Sequence, residues 1–246
     1  MVTNTFGLKM LQRNAEDFLK NTDMAYSECE TGIANLDRIV VSVNSAQSSM
    51  ARGYLLPIIY AYWERFFKIV FSEFLVCFEK NNILLKNANE IIAKFRLKKE
   101  LLDCLKNRNT SRLHDLPKKH DIKDLSNIFR ELALFFDEPI KFQDPSTWIE
   151  TESNVRFEVL EANCKNLGIN LDEIKNLLIE SKIILYPALK DLVDARNRIA
   201  HGQTFEEIKS QEWESIKSFV LSLMTALQLN LYEFLNDKTK VLKSVA

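Results

Sequence analysis

Residues 54–80 read YLLPIIYAYWERFFKIVFSEFLVCFEK, and this stretch indicates the class of the fold. Its apolar side chains fall on nearly every side of a helix, and they include Leu55, Ile59, Trp63, Phe66, Phe67, Val70, Phe74 and Cys77. A helix that is apolar on every face is usually buried. The apolar run from Leu55 to Trp63 is followed at once by charged residues and is too short to cross a bilayer. We therefore predict a buried central helix over residues 54–80 and no membrane segment.

Few residues of this chain favour tight turns. Only five of the 246 residues are glycine and five are proline, which is below average usage. Folds built from β-sheets need such residues every few positions, so their scarcity favours long helices with few connections. We predict an all-α fold with a sizeable core, because 46% of the residues are apolar.

Further helices are predicted on both sides of the central one. Apolar residues spaced three to four apart, at Ile33, Leu36 and Val40, predict one long helix over residues 8–50, either straight or kinked near Gly32. The other predicted helices cover residues 90–106, 122–136, 154–166, 171–181, 187–201 and 211–235. The last of these has two apolar flanks. Either both flanks form one wide core face, or one of them contacts a partner subunit.

The cysteines and the N-terminus bear on the cellular compartment. Cys29, Cys77, Cys104 and Cys164 stand far apart, with no CxxC pair and no histidine at ligand spacing. We interpret them as reduced, buried thiols, not as a disulfide framework or a zinc site, and we expect no metal and no cofactor. The first residues lack a basic segment followed by an apolar one, so we expect no secretory signal and a cytoplasmic protein.

Positive charge is concentrated in residues 94–124, which hold ten Lys and Arg against five Asp and Glu, although the whole chain has a net charge of −1. The near-neutral total excludes a polycation that coats nucleic acid along its whole surface. The candidate RNA-binding residues of this segment are Lys98, Lys99, Arg108, Arg112, Lys118 and Lys119. Contacts with phosphate are one interpretation, and a solvated helix face and loop is the other.

Residues 192–202, LVDARNRIAHG, form the candidate catalytic segment. His201 falls in the last turn of a predicted helix, and the glycine after it is a typical helix stop. Asn197 and Arg198 lie four and three residues before His201, so they share its side of the helix. Arg196 is rotated away by about 140° on an ideal helix, but its long side chain can reach the same end.

These residue types suit the cleavage of RNA without a metal ion. The reaction needs a group that takes the proton of the 2′-hydroxyl, a group that protonates the leaving 5′-oxygen, and a cation that stabilises the dianionic phosphorane. His201 can move protons, and Arg196 can hold a phosphate with its guanidinium fork. The spacing alone also fits an ordinary helix-capping histidine, and it recurs with one more intervening residue between Arg108 and His114.

The string ArgAsnArgIleAlaHisGly at residues 196–202 resembles the signature of the HEPN superfamily (higher eukaryotes and prokaryotes nucleotide-binding domain). That signature is an Arg, usually followed by Asn, with a His a few residues later, and it falls here on Arg196, Asn197 and His201.

Two further features are similar to the larger bacterial branch of that superfamily. One is the triplet Tyr62-Trp63-Glu64 on the central helix, and the other is TESN at residues 151–154, which leads a helix that ends in Leu-Gly-Ile. With them, the resemblance extends roughly from residue 50 to residue 235.

The resemblance implies a single domain over residues 1–246, an antiparallel helical bundle of HEPN type with extra helices. Its core lies at roughly 54–80 and 185–235, and insertion-like helices and connections lie at 90–150. It implies a homodimer in which two Arg–His motifs meet in one cleft. It also implies a metal-independent endoribonuclease that cleaves RNA as a toxin or an effector of anti-phage defence, with an antitoxin or another defence-system protein as partner. The implied catalytic residues are Arg196 and His201, and the implied supporting residues are Asn197, Arg198 and Glu64. Some HEPN proteins are instead non-catalytic modules that bind a nucleotide, an RNA or a partner protein, and this is the alternative.

Glu64 is a carboxylate on an otherwise apolar helix. Since an unpaired buried charge is costly, such a residue needs a cationic partner or contact with water. Either Arg196 or Arg198 is that partner, or Glu64 points to solvent beside Arg65 and Lys68.

Overall fold

The computed structural model describes residues 3–106, 133–142, 144–152, 154–202 and 207–242, and this part of the chain contains no β-strand. Its eight α-helices are α1 (Thr3–Ser42), α2 (Ser45–Lys80), α3 (Glu90–Lys106), α4 (Phe157–Leu167), α5 (Leu171–Glu180), α6 (Leu185–Ala200), α7 (Ser210–Asn236) and α8 (Lys238–Val241). Two short 3₁₀ turns, Leu85–Asn87 and Pro145–Trp148, lie in the connections. The predicted all-α fold is confirmed.

Helix α2 lies at the centre of the bundle, as its sequence predicts. It packs against α1, α6 and α7. The aromatic side chains that are fully buried along it are Tyr60, Trp63, Phe66, Phe67, Phe71, Phe74 and Phe78. Each of them stabilises the fold by about 1.5–3 kcal/mol through loss of contact with water. Aromatic packing joins α2 to α7, where the ring centroids of Phe74 and Phe234 are 5.4 Å apart.

The break between the first two helices falls earlier than predicted. Helix α1 ends at Ser42 and α2 begins at Ser45, so the residues up to 50 that were expected to end the long helix belong partly to α2. The break is set locally by Asn44, whose side chain accepts a hydrogen bond from the backbone N–H of Gln47 at 3.0 Å and caps α2. Because only two residues connect them, α1 and α2 pack as a helical hairpin.

Gly32 does not end α1, which continues unbroken to Ser42. A Cβ atom at this position would lie only 2.3 Å from the ring atom Cζ of Tyr62 on α2. The glycine therefore allows the two helices to approach closely, and this contact accounts for its place in the sequence.

The remaining predicted helices begin and end within three residues of the expected positions, with one exception. Of the helix predicted over 122–136, only residues 133–136 are described, and these are helical. The rest of that prediction lies outside the described residues.

Helix α7 is fixed to α1 by a polar cluster. Trp213 Nε1 donates a hydrogen bond to Asp37 Oδ1 at 2.7 Å, and Lys217 Nζ donates to Asp37 Oδ2 at 2.5 Å. Burial opposes ionisation of Asp37, but the hydrogen bonds from Lys217 and Trp213 outweigh it and lower the pKa of this carboxyl. The cluster holds the start of α7, the helix that follows the candidate segment.

By length and composition alone, α7 could cross a membrane, and in the described part of the chain it is the one helix of which this is true. Its apolar stretch is 61% buried inside the bundle, where it packs against α1, α2 and α5. Such burial is what a core helix shows.

Candidate functional site

Helix α6 is held against the centre of the bundle by one apolar face. Leu185, Leu189, Leu192 and Val193 are buried on this face at helical spacing, and they pack α6 against its neighbours, chiefly α2. Charged residues on the other side of the helix stay exposed or half-buried. The core therefore fixes the direction in which the C-terminal end of α6 points.

The end of α6 is formed by His201 and Gly202. The backbone N–H of His201 donates to Asn197 O at 3.0 Å, and the backbone N–H of Gly202 donates to Ile199 O at 3.1 Å. Gly202 has a φ of 67°, a left-handed conformation that glycine adopts readily, so the helix ends there as predicted. The side chain of His201 is exposed at this end.

The guanidinium of Arg196 lies against α2. Its carbon Cζ is 5.3 Å from the centre of the Tyr60 ring, within the range of a cation–π interaction. Its Nη1 donates a hydrogen bond to Asn197 Oδ1 at 3.0 Å. Among the described residues, no carboxylate forms an ion pair with Arg196, so most of its N–H donors and its charge are available to a ligand.

Asn197 connects the two candidate catalytic residues. Its side-chain oxygen accepts from Arg196, and its backbone oxygen accepts from the N–H of His201. Asn197 therefore orients the guanidinium of Arg196 through its side chain and closes the last helical turn through its backbone.

Tyr60 is the residue that the sequence analysis missed. It is only 1% exposed, and its hydroxyl oxygen accepts a hydrogen bond from the backbone N–H of Val155 at 2.6 Å. Burial raises the pKa of Tyr60 to about 12, partly offset by the bond from Val155 and by nearby Arg196, so the phenol is neutral near pH 7. A tyrosine among apolar residues resembles an ordinary core residue. The one signal available was its polar hydroxyl on the same helix face as Trp63 and Glu64.

Val155, the residue directly after the TESN segment, is bound to α2. Trp63 Nε1 donates to Val155 O at 3.2 Å, so Tyr60 and Trp63 together hold both polar groups of one peptide residue. Next to it, Asn154 Oδ1 is buried and has no hydrogen-bond partner among the described residues. A buried oxygen of this kind costs about 1–3 kcal/mol, which indicates that the anchors of this segment outweigh a local penalty.

Glu64 pairs with a different residue from those named first in the sequence analysis. Its Oε1 accepts from Lys68 Nζ at 2.7 Å, one helical turn away, and not from Arg196 or Arg198. Its side chain is 26% exposed. The alternative of an arginine partner is therefore wrong, because Lys68, four residues along the same helix, takes that place. The solvent-facing alternative beside Lys68 agrees with the structure.

Arg198 lies on a different side of α6 from Arg196. It lines a groove of about 460 Å³ between α6 and α7, together with Leu56, Ile199, Ile208 and Ile216. The structure thus separates the two arginines of the motif, and of the two it is Arg196 whose guanidinium lies over Tyr60.

The predicted RNA-binding patch is described only at its beginning. Lys98 is exposed on α3, where Lys99 follows it in the helix. Arg108, Arg112, Lys118 and Lys119 lie outside the described residues, so the patch stays a prediction.

The side chains of three of the four cysteines are described, and all three are buried free thiols: Cys29, Cys77 and Cys164. Burial raises the pKa of Cys77 and of Cys164 to about 12. Since the thiolate is the reactive form, these two residues are poor nucleophiles near pH 7. Within the described ranges, no group of three or more His, Cys, Asp or Glu side chains is arranged to hold a metal ion.

Comparison with known proteins gives one match. Residues 26–232 match the family described as RiboL-PSP-HEPN. This range covers most of the chain and includes Tyr60, the TESN segment, Arg196 and His201. No curated protein and no solved structure matches the chain significantly.

Proposed function

Since the chain belongs to the RiboL-PSP-HEPN family, within the HEPN superfamily, we propose that it is a metal-independent endoribonuclease that acts as a toxin or as an effector of anti-phage defence. Members of the superfamily often cleave RNA. The activity, its mechanism and the biological role in this chain are our proposal.

One observation supports the proposal most directly. The guanidinium of Arg196 rests on the Tyr60 ring at 5.3 Å, and no carboxylate among the described residues neutralises it. An arginine that serves only the fold usually pairs with an acid. One that is held on a ring face keeps its charge and its donors for an anion such as phosphate.

The proposed reaction uses two kinds of group. The 2′-oxygen of the RNA attacks the adjacent phosphorus, a 2′-O–P bond forms, and the P–O bond to the 5′-oxygen breaks. A base takes the proton of the 2′-hydroxyl, and an acid gives a proton to the leaving 5′-oxygen. His201 performs one of these transfers, and Arg196 stabilises the negative charge that grows on the phosphorane.

A test of this mechanism is the identity of the RNA ends. We expect cleavage to persist in EDTA and to leave a 2′,3′-cyclic phosphate and a 5′-hydroxyl, because the 2′-oxygen is the nucleophile. Mass spectrometry of fragments from a short single-stranded RNA measures both ends. Activity that is lost in EDTA, or ends with a 5′-phosphate, would contradict the mechanism.

We further propose that the protein is a homodimer. The His201 side chains of the two subunits then give a shared cleft two proton-transferring groups. The groove beside Arg198 supports this arrangement, since it lies on the motif-bearing helix, and apolar residues from α2, α6 and α7 line it beside charges of both signs. Such a surface can pair with a copy of itself.

The dimer can be tested by one substitution and its control. Ser215 lines this groove, whereas Ser218, three residues further along α7, lines a different groove between α1 and α7, and both are exposed. We expect wild type and Ser218→Arg to have twice the 28.6 kDa mass of one chain in light scattering at micromolar concentration. Ser215→Arg should be monomeric and should lose cleavage. A wild-type protein that is strictly monomeric would refute the dimer.

A further inference from the structure

Tyr60 touches two parts of the candidate site from inside the bundle. Its ring carries the guanidinium of Arg196 at 5.3 Å, and its hydroxyl oxygen accepts from Val155 N at 2.6 Å. The residue is 1% exposed, so RNA cannot reach it directly. Any effect of Tyr60 on the reaction must therefore pass through a residue that does reach the substrate.

An aromatic ring holds an arginine differently from a carboxylate. A ring face attracts the cation without using any of its N–H donors. An Asp or Glu partner would occupy two of these donors and cancel the charge. A ring is therefore the better support for a guanidinium that must bind a phosphate by its donor edges.

The orientation of the ring is itself fixed by the chain. The hydroxyl of Tyr60 is bound to Val155, and Val155 is bound a second time, through its carbonyl oxygen, by Trp63 at 3.2 Å. The neighbouring Oδ1 of Asn154 is buried with no partner in the described part of the chain, so this segment keeps its position although one of its own groups is unsatisfied there. Positions that are held against a local cost are typical of functional sites.

We propose that Tyr60 is a positioning residue for Arg196: its ring face holds the guanidinium toward the scissile phosphate, while its hydroxyl anchors the ring to Val155. This inference rests on the proposed ribonuclease function. It adds that the segment at residues 154–155 and the motif on α6 are joined into one site through α2.

Three substitutions separate the contribution of the Tyr60 ring to the cleavage rate from that of its hydroxyl. Tyr60→Leu removes the ring face, and we expect single-turnover cleavage with saturating enzyme to fall by about 10- to 100-fold, since a displaced catalytic group costs rate more than binding. Tyr60→Phe keeps the ring face, and we expect this variant to retain most of the wild-type rate. Trp63→Phe loosens Val155 without touching Arg196, so it controls for a general loosening of the segment, and it should retain more activity than Tyr60→Leu.

A positioning role also predicts that the losses of rate caused by substituting Tyr60 and Arg196 are not additive. In an Arg196→Ala background, Tyr60→Leu should cause no further loss of rate, because the group that it positions is absent. Equal losses with and without Arg196 would overturn the proposal, and so would a Tyr60→Leu rate equal to that of wild type.

An NMR measurement on the wild-type protein tests the contact independently of cleavage. In the wild-type protein, the Nε–Hε proton of Arg196, assigned by its loss in Arg196→Lys, should be shifted upfield by the Tyr60 ring. The shift should persist in Tyr60→Phe. An unshifted proton in the wild type refutes the positioning role. If wild type shows the shift but does not cut RNA, the proposed function fails while the contact stands.

Discussion

His201→Ala should lower the single-turnover rate of RNA cleavage by about 100- to 10,000-fold, the usual contribution of a positioned general acid or base. The side chain is exposed at the end of α6, and the backbone bond from its N–H to Asn197 O does not depend on the imidazole. We therefore expect the variant to fold and to bind RNA nearly as well as wild type.

The measurement is cleavage of a labelled RNA with enzyme in excess, so that weaker binding cannot imitate slower chemistry. The chain has three histidines, and His114→Ala and His120→Ala are matched controls that should keep the wild-type rate. If the protein is a toxin, its expression should arrest bacterial growth and His201→Ala should abolish the arrest. Cleavage by His201→Ala at the wild-type rate would show that His201 is only a helix cap, and the nuclease proposal would fail.

Arg196→Lys should reduce the single-turnover rate by about 100- to 1,000-fold, although it preserves the positive charge. Loss of one preorganised donor to a growing oxyanion has effects of this size. Lysine lacks the planar fork that binds a phosphate through two parallel hydrogen bonds, and its compact, strongly hydrated ammonium cannot stack as a plane on Tyr60.

The matched control is Arg65→Lys, because Arg65 is an exposed arginine of α2 that pairs with Glu28 at a distance from the motif. It should cleave RNA like wild type. Wild-type cleavage by Arg196→Lys would mean that only the charge matters, and the assigned role of the guanidinium would then be wrong.

The sequence predicts the bundle well because burial leaves a strong pattern. Seven aromatic side chains of α2 are fully buried, and their spacing of three to four residues places them on one broad face of the helix. Helix boundaries are less predictable where a single polar residue decides them. The sequence predicts a start at residue 54, whereas the cap at Asn44 sets the start of α2 at Ser45. Periodicity alone does not reveal which polar residue between two helices will form a cap.

The candidate site was only partly predictable for a related reason. Arg196, Asn197 and His201 stand close together in the sequence, so their likeness to a known motif could be recognised. Tyr60 meets Arg196 across 136 positions of the chain, and only the packing of α6 on α2 brings the ring under the guanidinium. Glu64 was open for the opposite reason, because its partner is local. The sequence left two alternatives open for it, and the structure agrees with the one beside Lys68, which lies one turn away and pairs with it locally.

The link through Asn197 makes Arg196 and His201 members of one cooperative unit, the final turn of α6. Helix ends open and close locally with free energies far below that of global unfolding. When this turn opens, the orienting bond to Arg196 and the placement of His201 are lost together. The fraction of molecules with an assembled site is thus governed by a fraying equilibrium of a few residues, so activity can decline on warming while the core around α2 remains folded.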